Sequence, residues 1–162
     1  MRRLRFAAVV AAALAAGWVA PAAADPFDDA FNAYSNGDYA TALQRFAPLA
    51  QGGDIRAQHM MGRMYSEGEG VEKNDAEGAK WYQVAADRGD IVSQLSLATM
   101  YVNGRGVRRN FVEAYKWFSI VALSESRTAV GQALEVRDLI AQLMTPEQVE
   151  QGEQLAAAWA PK

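Results

Sequence analysis

The chain has 162 residues, of which 51% are hydrophobic, and its 16 basic and 19 acidic residues give a formal net charge of −3. This acidic balance argues against a nucleic-acid partner, because the phosphates would be repelled at long range. The chain contains no cysteine and a single histidine, which excludes disulfides and thiol chemistry and argues against the usual zinc sites. We therefore predict no metal, no cofactor and no nucleic-acid partner.

Residues 1–24 have the pattern of a secretory signal peptide. Three arginines within the first five residues precede an uncharged apolar run from Phe6 to Ala20, and three alanines end at Ala24. The run is shorter than the roughly 20 apolar residues that cross a bilayer, so we expect cleavage after Ala24 and no transmembrane segment afterwards. Cleavage would remove three arginines and no acid, which makes the net charge −6. We predict a periplasmic or secreted protein.

Residues 25–162 are predicted to form one helical repeat domain, in which residues 25–54 are a first hairpin. The turn of this hairpin is the sequence NGDY at residues 36–39, and apolar residues follow at helical spacing. These apolar residues are Ala42, Leu43 and Phe46. The stretch NGDYATAL resembles the tetratricopeptide form of a helical hairpin.

The sequence YSEGEGVEKN at residues 65–74 recurs 36 residues later as YVNGRGVRRN at residues 101–110. The same spacing holds outside this loop, since Trp117 follows Trp81 by 36 residues. An internal repeat of this period is typical of stacked helical hairpins. We therefore predict two repeat units, residues 55–90 and 91–126.

Each unit is predicted to contain two amphipathic helices joined by the loop. In the first helix, Ala57, Met61 and Tyr65 have the spacing of one buried stripe. The second helix is expected to begin at a capping box, because an asparagine precedes a glutamate by three residues in both units. These pairs are Asn74 with Glu77 and Asn110 with Glu113.

The paired glycines of each loop could cradle a phosphate or end a helix. They are Gly68 and Gly70 in the first unit, and Gly104 and Gly106 in the second. A phosphate loop typically needs the G-x-x-x-x-G-K-[ST] arrangement after a strand, and neither copy has it. We therefore assign the glycines to chain reversal, which favours residues that can take a positive φ.

Residues 127–162 lack the loop motif and are predicted to be atypical capping helices that close the array. One helical face is expected at Val136, Leu139, Ile140 and Leu143. A final helix should begin behind Thr145, which is followed by a proline and by Gln148 as its capping-box partner, and should run to about Ala158. Trp159 is expected to dock on this end.

The pattern A-x-x-x-[LM]-[GA]-x-x-Y-x-x-G-x-G-V, followed by [GA]-x-x-W-[YF]-x-x-[AV]-A, resembles the Sel-one-like repeats, which are relatives of the tetratricopeptide repeats. The sequence departs from the family pattern at Ser93, Gly78 and Val121, where alanine is usual. The resemblance implies an all-α fold, a right-handed solenoid of helical hairpins with an atypical C-terminal capping hairpin. It also implies binding of a protein or peptide without catalysis.

Four aromatic residues keep the phase of the repeat, and we interpret them as core rather than as a platform for stacking sugars. They are Trp81, Trp117, Tyr65 and Tyr101.

Two loop positions change charge between units, from Glu69 to Arg105 and from Glu72 to Arg108. One hypothesis is that Glu69 pairs with Arg105 and helps to set the register of neighbouring units, and the alternative is that these charges are simply solvated.

By the same resemblance, an inner groove is lined by the first-helix residues that the core stripe leaves free. They are Arg56, His59, Arg63, Ser66 and Glu67 in the first unit, and Val92, Leu95, Thr99, Val102 and Asn103 in the second. The first set is basic and polar and the second is mostly apolar. A peptide or partner helix with an acidic end beside an apolar stretch would suit them, and the alternative is an ordinary solvated face.

The sequence is compatible with three kinds of function. The leading hypothesis is an exported, non-enzymatic module of the bacterial cell envelope that binds a protein or peptide. The alternative is a structural or regulatory subunit docked on an envelope or peptidoglycan-associated complex. An enzyme acting on envelope polymers would need a carboxyl group with a raised pKa in an enclosed site, and Glu67, Glu69 and Glu72 in charged loops are poor candidates for that role.

Overall fold

The computed structural model describes residues 25–162, and the predicted signal peptide lies outside these described residues. Within them the chain forms eight α-helices and no strand, which confirms the predicted all-α fold. No helix in this part of the chain has the length and apolar character needed to span a membrane. The helices are α1 Pro26–Ser35, α2 Tyr39–Gln51, α3 Ile55–Glu67, α4 Asp75–Asp87, α5 Ile91–Asn103, α6 Phe111–Ala122, α7 Arg127–Ala141 and α8 Pro146–Ala157.

The first six helices form three hairpins that stack in chain order. Within each hairpin the two helices pack together, and the second helix also packs on the first helix of the next hairpin. The last two helices depart from this pattern, because α7 and α8 each pack on α6 rather than mainly on each other. The array is therefore closed by two separate helices around α6 and not by a fourth regular hairpin.

Two clusters of buried side chains hold the array together, one around α1 to α3 and one around α4 to α8. Trp117 is completely buried in the second cluster, as predicted. Trp81, Tyr65 and Tyr101 are only partly buried and pack against the edges of the clusters. The prediction that these four aromatics are core is thus confirmed for Trp117 and too strong for the other three.

The first glycine of each loop ends a helix in the left-handed conformation, as the sequence predicts. Gly68 has φ 77° and Gly104 has φ 68°. The amide of Gly68 donates to the carbonyl oxygen of Met64 at 2.9 Å, which satisfies one of the carbonyl groups left free at the helix end. The first glycine of each loop is therefore a helix stop.

The predicted capping boxes of α4 and α6 are half right. The side chain of Asn74 accepts from the amide of Glu77 at 3.0 Å, and that of Asn110 accepts from the amide of Glu113 at 3.2 Å. The two glutamates do not complete the boxes, because the amides of the two asparagines already donate to the carbonyl oxygens of Tyr65 and Tyr101, at 2.8 and 3.0 Å. Each glutamate instead pairs with a lysine of its own helix. Glu77 pairs with Lys80 at 2.8 Å, and Glu113 pairs with the equivalent lysine of α6 at 2.5 Å.

The predicted apolar face of α7 is partly wrong. Ile140 is buried, but Leu139 and Leu143 are 56% and 69% exposed. The buried stripe instead runs through Ala129 and Ala133, because small side chains allow α7 to approach α6 closely.

The complete capping box predicted at Thr145 and Gln148 is confirmed at the start of α8. Beyond α8, Trp159 packs edge-on against Trp117, with ring centroids 6.1 Å apart.

Candidate functional site

An open groove runs between α3 and α5, the first helices of the two repeat units. It consists of two adjoining cavities of 310 and 590 Å³. The residues common to both cavities are Glu67, Tyr82, Val92 and Ser96. We call this surface the α3–α5 groove.

The floor of the α3–α5 groove is the ring of Tyr82, which reaches in from α4. A glycine on α3 makes room for it, since a Cβ atom at Gly62 would lie 2.6 Å from Cδ1 of Tyr82. Burial raises the pKa of Tyr82, so its hydroxyl stays neutral. The second unit has Ala98 and Phe118 at the equivalent positions. The first unit alone therefore places a phenol at the bottom of the groove.

Seven of the ten residues predicted to line an inner groove lie on this surface. They are His59, Arg63, Glu67, Val92, Leu95, Thr99 and Asn103. Both walls therefore come from residues that the core stripe leaves free.

Three predicted residues lie elsewhere. Ser66 is completely buried, with its hydroxyl directed at Gly78 of α4, so it is not available to a partner. Val102 is partly buried against the larger core cluster. Arg56 lies beyond the groove, where it pairs with Asp25 at 2.8 Å and lies over the ring of Phe27 at 4.2 Å. Ser66 and Val102 occupy equivalent positions of the two units, and neither lines the groove.

The arginine of the α3 wall is occupied by the chain's own groups. Nε of Arg63 lies 3.8 Å from Glu69, and its guanidinium lies 5.2 Å from the ring centroid of Tyr34. The hydroxyl of Tyr34 also donates to Glu69 at 2.6 Å. This contact links the first hairpin to the loop of the first repeat unit.

Arg105 lies at the other end of the groove and joins the two repeat units. Its guanidinium lies 3.2 Å from Asp75 and 3.5 Å from Glu67. The hypothesis that Arg105 pairs with Glu69 is wrong, because Glu69 bonds to Tyr34 instead. A basic residue of the second loop does contact the preceding unit, but through other carboxylates than the one predicted.

On the α5 wall, three side chains donate to their own helix. The hydroxyl of Ser96 donates to the carbonyl of Val92 at 2.9 Å, and the hydroxyl of Thr99 donates to the carbonyl of Leu95 at 2.8 Å. The amide nitrogen of Asn103 donates to the carbonyl of Thr99 at 3.0 Å. The oxygen atoms of these three side chains keep lone pairs that can accept further hydrogen bonds.

His59 lies where the two units meet. Its Nδ1 is 3.2 Å from the hydroxyl of Ser93 and 3.5 Å from Asp90. Asp90 caps α5 by accepting from the amide of Ser93 at 2.7 Å. Burial opposes ionisation of Asp90, but hydrogen bonds from His59 and Ser93 outweigh it and hold the pKa of this carboxyl below its usual range.

Neither a metal centre nor an enclosed pair of carboxylates is evident in residues 25–162. No group of His, Asp and Glu side chains in this range could hold a metal ion. Of the carboxylates weighed as acid and base, Glu67 is 51% exposed on the groove wall, and Glu72 is exposed in the loop. The third, Glu69, is bonded to Tyr34.

The predicted groove set missed five residues that line the α3–α5 groove. They are Glu69, Tyr82, Ser96, Met100 and Arg105. A comparison of the two units could have indicated Tyr82, because Gly62 and Tyr82 in one unit become Ala98 and Phe118 in the other. That joint change makes space for a larger polar ring in one place only.

The Sel1 repeat family model matches residues 55–90 and 91–123 of the chain. Among solved structures, the chain resembles a protective antigen present in uropathogenic Escherichia coli strains that displays an SLR fold, with 25% identity and a TM-score of 0.74. It also resembles a Sel1 repeat protein from Oxalobacter formigenes, with 29% identity and a TM-score of 0.64. The alignments cover 81% and 83% of this chain but only 28% and 54% of those proteins. No curated protein matches the chain.

Proposed function

The chain contains two Sel1 repeats, and from this premise we propose that it is a non-enzymatic interaction module that binds a protein or peptide in the α3–α5 groove. Sel1 repeats are generally protein–protein interaction modules. The observation that carries the placement is that both repeat units contribute side chains to one open surface. On this surface Val92 is 54% exposed beside Leu95 and the ring of Tyr82.

Binding fits the groove better than catalysis does. The groove is open along its length, so it does not provide the enclosed, low-dielectric surroundings that raise the pKa of a catalytic acid. The most shielded of its carboxylates, Glu69, already accepts from the Tyr34 hydroxyl. Exposed apolar side chains beside polar groups are typical of a surface that recognises another chain.

We also propose that the protein is exported to the periplasm or beyond. The support is the arginine-rich start, the apolar run and the alanines of residues 1–24. N-terminal sequencing of the protein recovered from the periplasm should begin at Asp25. A protein that stays in the cytoplasm and begins at Met1 would contradict export.

A second candidate is a subunit that docks permanently on a larger envelope assembly. It is favoured by exposed leucines at the end of the second repeat and beyond it, since Leu123, Leu139 and Leu143 are 83%, 56% and 69% exposed. Permanent docking predicts that the protein co-purifies in a stable complex and that Leu139→Asp with Leu143→Asp releases it. Groove binding predicts that this double variant keeps its partner.

Site-specific photo-crosslinking in cells tests the groove. A photoreactive phenylalanine analogue replaces Val92 in the groove or, as a matched control, Val84, which is 43% exposed on α4. We expect discrete crosslinked products from position 92 that disappear when Leu95→Asp is added, and none of the same size from position 84. Equal products from both positions, or none from position 92, would show that the partner does not use this groove.

A further inference from the structure

The α5 wall of the groove offers hydrogen-bond acceptors more than donors. A hydroxyl has one proton and two lone pairs. The hydroxyls of Ser96 and Thr99 donate their protons to backbone carbonyls of α5. Asn103 also uses its amide nitrogen on this helix, which leaves its oxygen free to accept. A ligand that brings N–H or ammonium donors therefore complements this wall.

The opposite wall adds a carboxylate. Glu67 is 51% exposed, and Arg105 lies 3.5 Å from its Oε1 only. Its second oxygen is therefore open to another donor. Charge-assisted bonds to such an oxygen are stronger than bonds between neutral groups.

The carboxylates Glu67 and Glu69 and the guanidinium groups of Arg63 and Arg105 balance one another in the groove lining. Asp75, which pairs with Arg105 from outside the two cavities, adds one further negative charge beside the groove. The formal charge of the chain is also negative, so a basic ligand is attracted at long range. The acidic partner expected from the sequence is disfavoured, because the two groove arginines are already paired with carboxylates of the chain itself.

Apolar contact is available next to these acceptors. Val92 is 54% exposed and lies one helical turn before Ser96. Leu95 and Met100 line the same cavity. An apolar side chain placed here would lose water from both partners, which stabilises the complex.

We propose that the α3–α5 groove binds an extended peptide segment that places a lysine or arginine side chain between Glu67 and Thr99 and an adjacent apolar side chain on Val92 and Leu95. This proposal rests on the proposed function and specifies the chemistry of the partner. The basic side chain supplies donors to the acceptors of the α5 wall and to the carboxylate of Glu67. The apolar neighbour fixes its position along α5.

The test uses three short peptides with blocked ends and a fluorescent label, in a common glycine–serine background. One carries lysine beside leucine, the second glutamate beside leucine, and the third lysine beside serine. Fluorescence anisotropy at low salt measures their binding to the purified protein. We expect the lysine–leucine peptide to bind at least about tenfold more tightly than the glutamate–leucine peptide, as expected for a charge-assisted bond, and its affinity to fall as salt increases.

Variants locate the contact. Glu67→Gln and Thr99→Val should each weaken binding of the lysine–leucine peptide by about three- to tenfold. Glu125→Gln, which removes an exposed carboxylate in the turn before α7, should leave binding unchanged. Circular dichroism checks that each variant keeps its helices, so that a loss of binding is not a loss of folding.

The outcomes separate this proposal from the proposed function. Tighter binding of the glutamate–leucine peptide, abolished by Leu95→Asp, would overturn the basic partner while the groove remains a binding site. Absence of binding by all three peptides together with crosslinking at position 92 would have the same meaning. If neither peptide binding nor crosslinking occurs, both proposals fail.

Discussion

Gly106 packs directly on the backbone of Asp75, the first residue of α4, since a Cβ atom at Gly106 would lie 2.1 Å from the Asp75 carbonyl oxygen. One unit earlier, Gly70 makes the same approach to the first residue of α2, with a Cβ at 2.5 Å from the carbonyl oxygen of Tyr39. The two glycines of each loop thus have different roles. The first ends a helix, and the second allows the loop to contact the preceding hairpin.

Gly106→Ala should therefore destabilise the fold more than a substitution at an isolated positive-φ glycine. Gly37 is the matched control, because it has φ 79° and no other atom lies within 4 Å of an added Cβ. Gly37→Ala should cost about 1–2 kcal/mol for the left-handed backbone, and Gly106→Ala about 1–3 kcal/mol more for overpacking. Urea unfolding followed by circular dichroism measures both. If both variants lost the same free energy of unfolding, the close contact between Gly106 and Asp75 would not contribute to the packing of the loop on the preceding hairpin.

The two repeat-phase tryptophans should differ in their contribution to stability. Trp117 is completely buried, and its truncation to alanine should lower the free energy of unfolding by about 3–5 kcal/mol. This is a large part of a typical stability of roughly 5–15 kcal/mol. Trp81 is only partly buried, so Trp81→Ala should cost less. Urea midpoints in the opposite order would contradict the burial difference.

The half-formed capping boxes predict unequal effects at α4. Asn74→Ala removes the acceptor for the amide of Glu77 and should cost about 0.5–2 kcal/mol. Glu77→Gln removes only an exposed pair with Lys80, which is worth about 0–1 kcal/mol. Thermal unfolding compares the two variants. A larger loss for Glu77→Gln than for Asn74→Ala would contradict this ranking of the two interactions.

Asp90 should make the protein sensitive to acid. Its pKa is lowered in the folded state, so the unfolded chain takes up the proton first as the pH falls. The stability that Asp90 contributes is therefore complete above about pH 4 and is lost below it. Asp90→Asn keeps a capping side chain for α5 but does not titrate. Its free energy of unfolding should fall less than that of the wild type between about pH 5 and about pH 2, and equal slopes would contradict this role.

Signals that act within one helix or one turn were predictable from the sequence. The helix stops at Gly68 and Gly104 and the asparagine caps depend on neighbours a few residues away. The 36-residue period is visible in the sequence because the same local signals recur in the next unit. The apolar face predicted in this region failed at Leu139, because periodicity does not state which helix the face will meet. It failed at Leu143 because α7 ends at Ala141. The residues of α7 that are buried are Ala129, Ala133 and Ile140.

In the α3–α5 groove, too, local features were predictable from the sequence and contacts between helices were not. The sequence identified most of its wall residues, because residues three and four apart share one face of α3 or α5. It could not determine the burial of Ser66, the insertion of Tyr82 or the partners of Arg105. These contacts join different helices, and their geometry is fixed only when the hairpins stack. The sequence by itself determined the repeat and its local caps, whereas the tertiary structure decided which charges are already paired and which acceptors remain open to a partner.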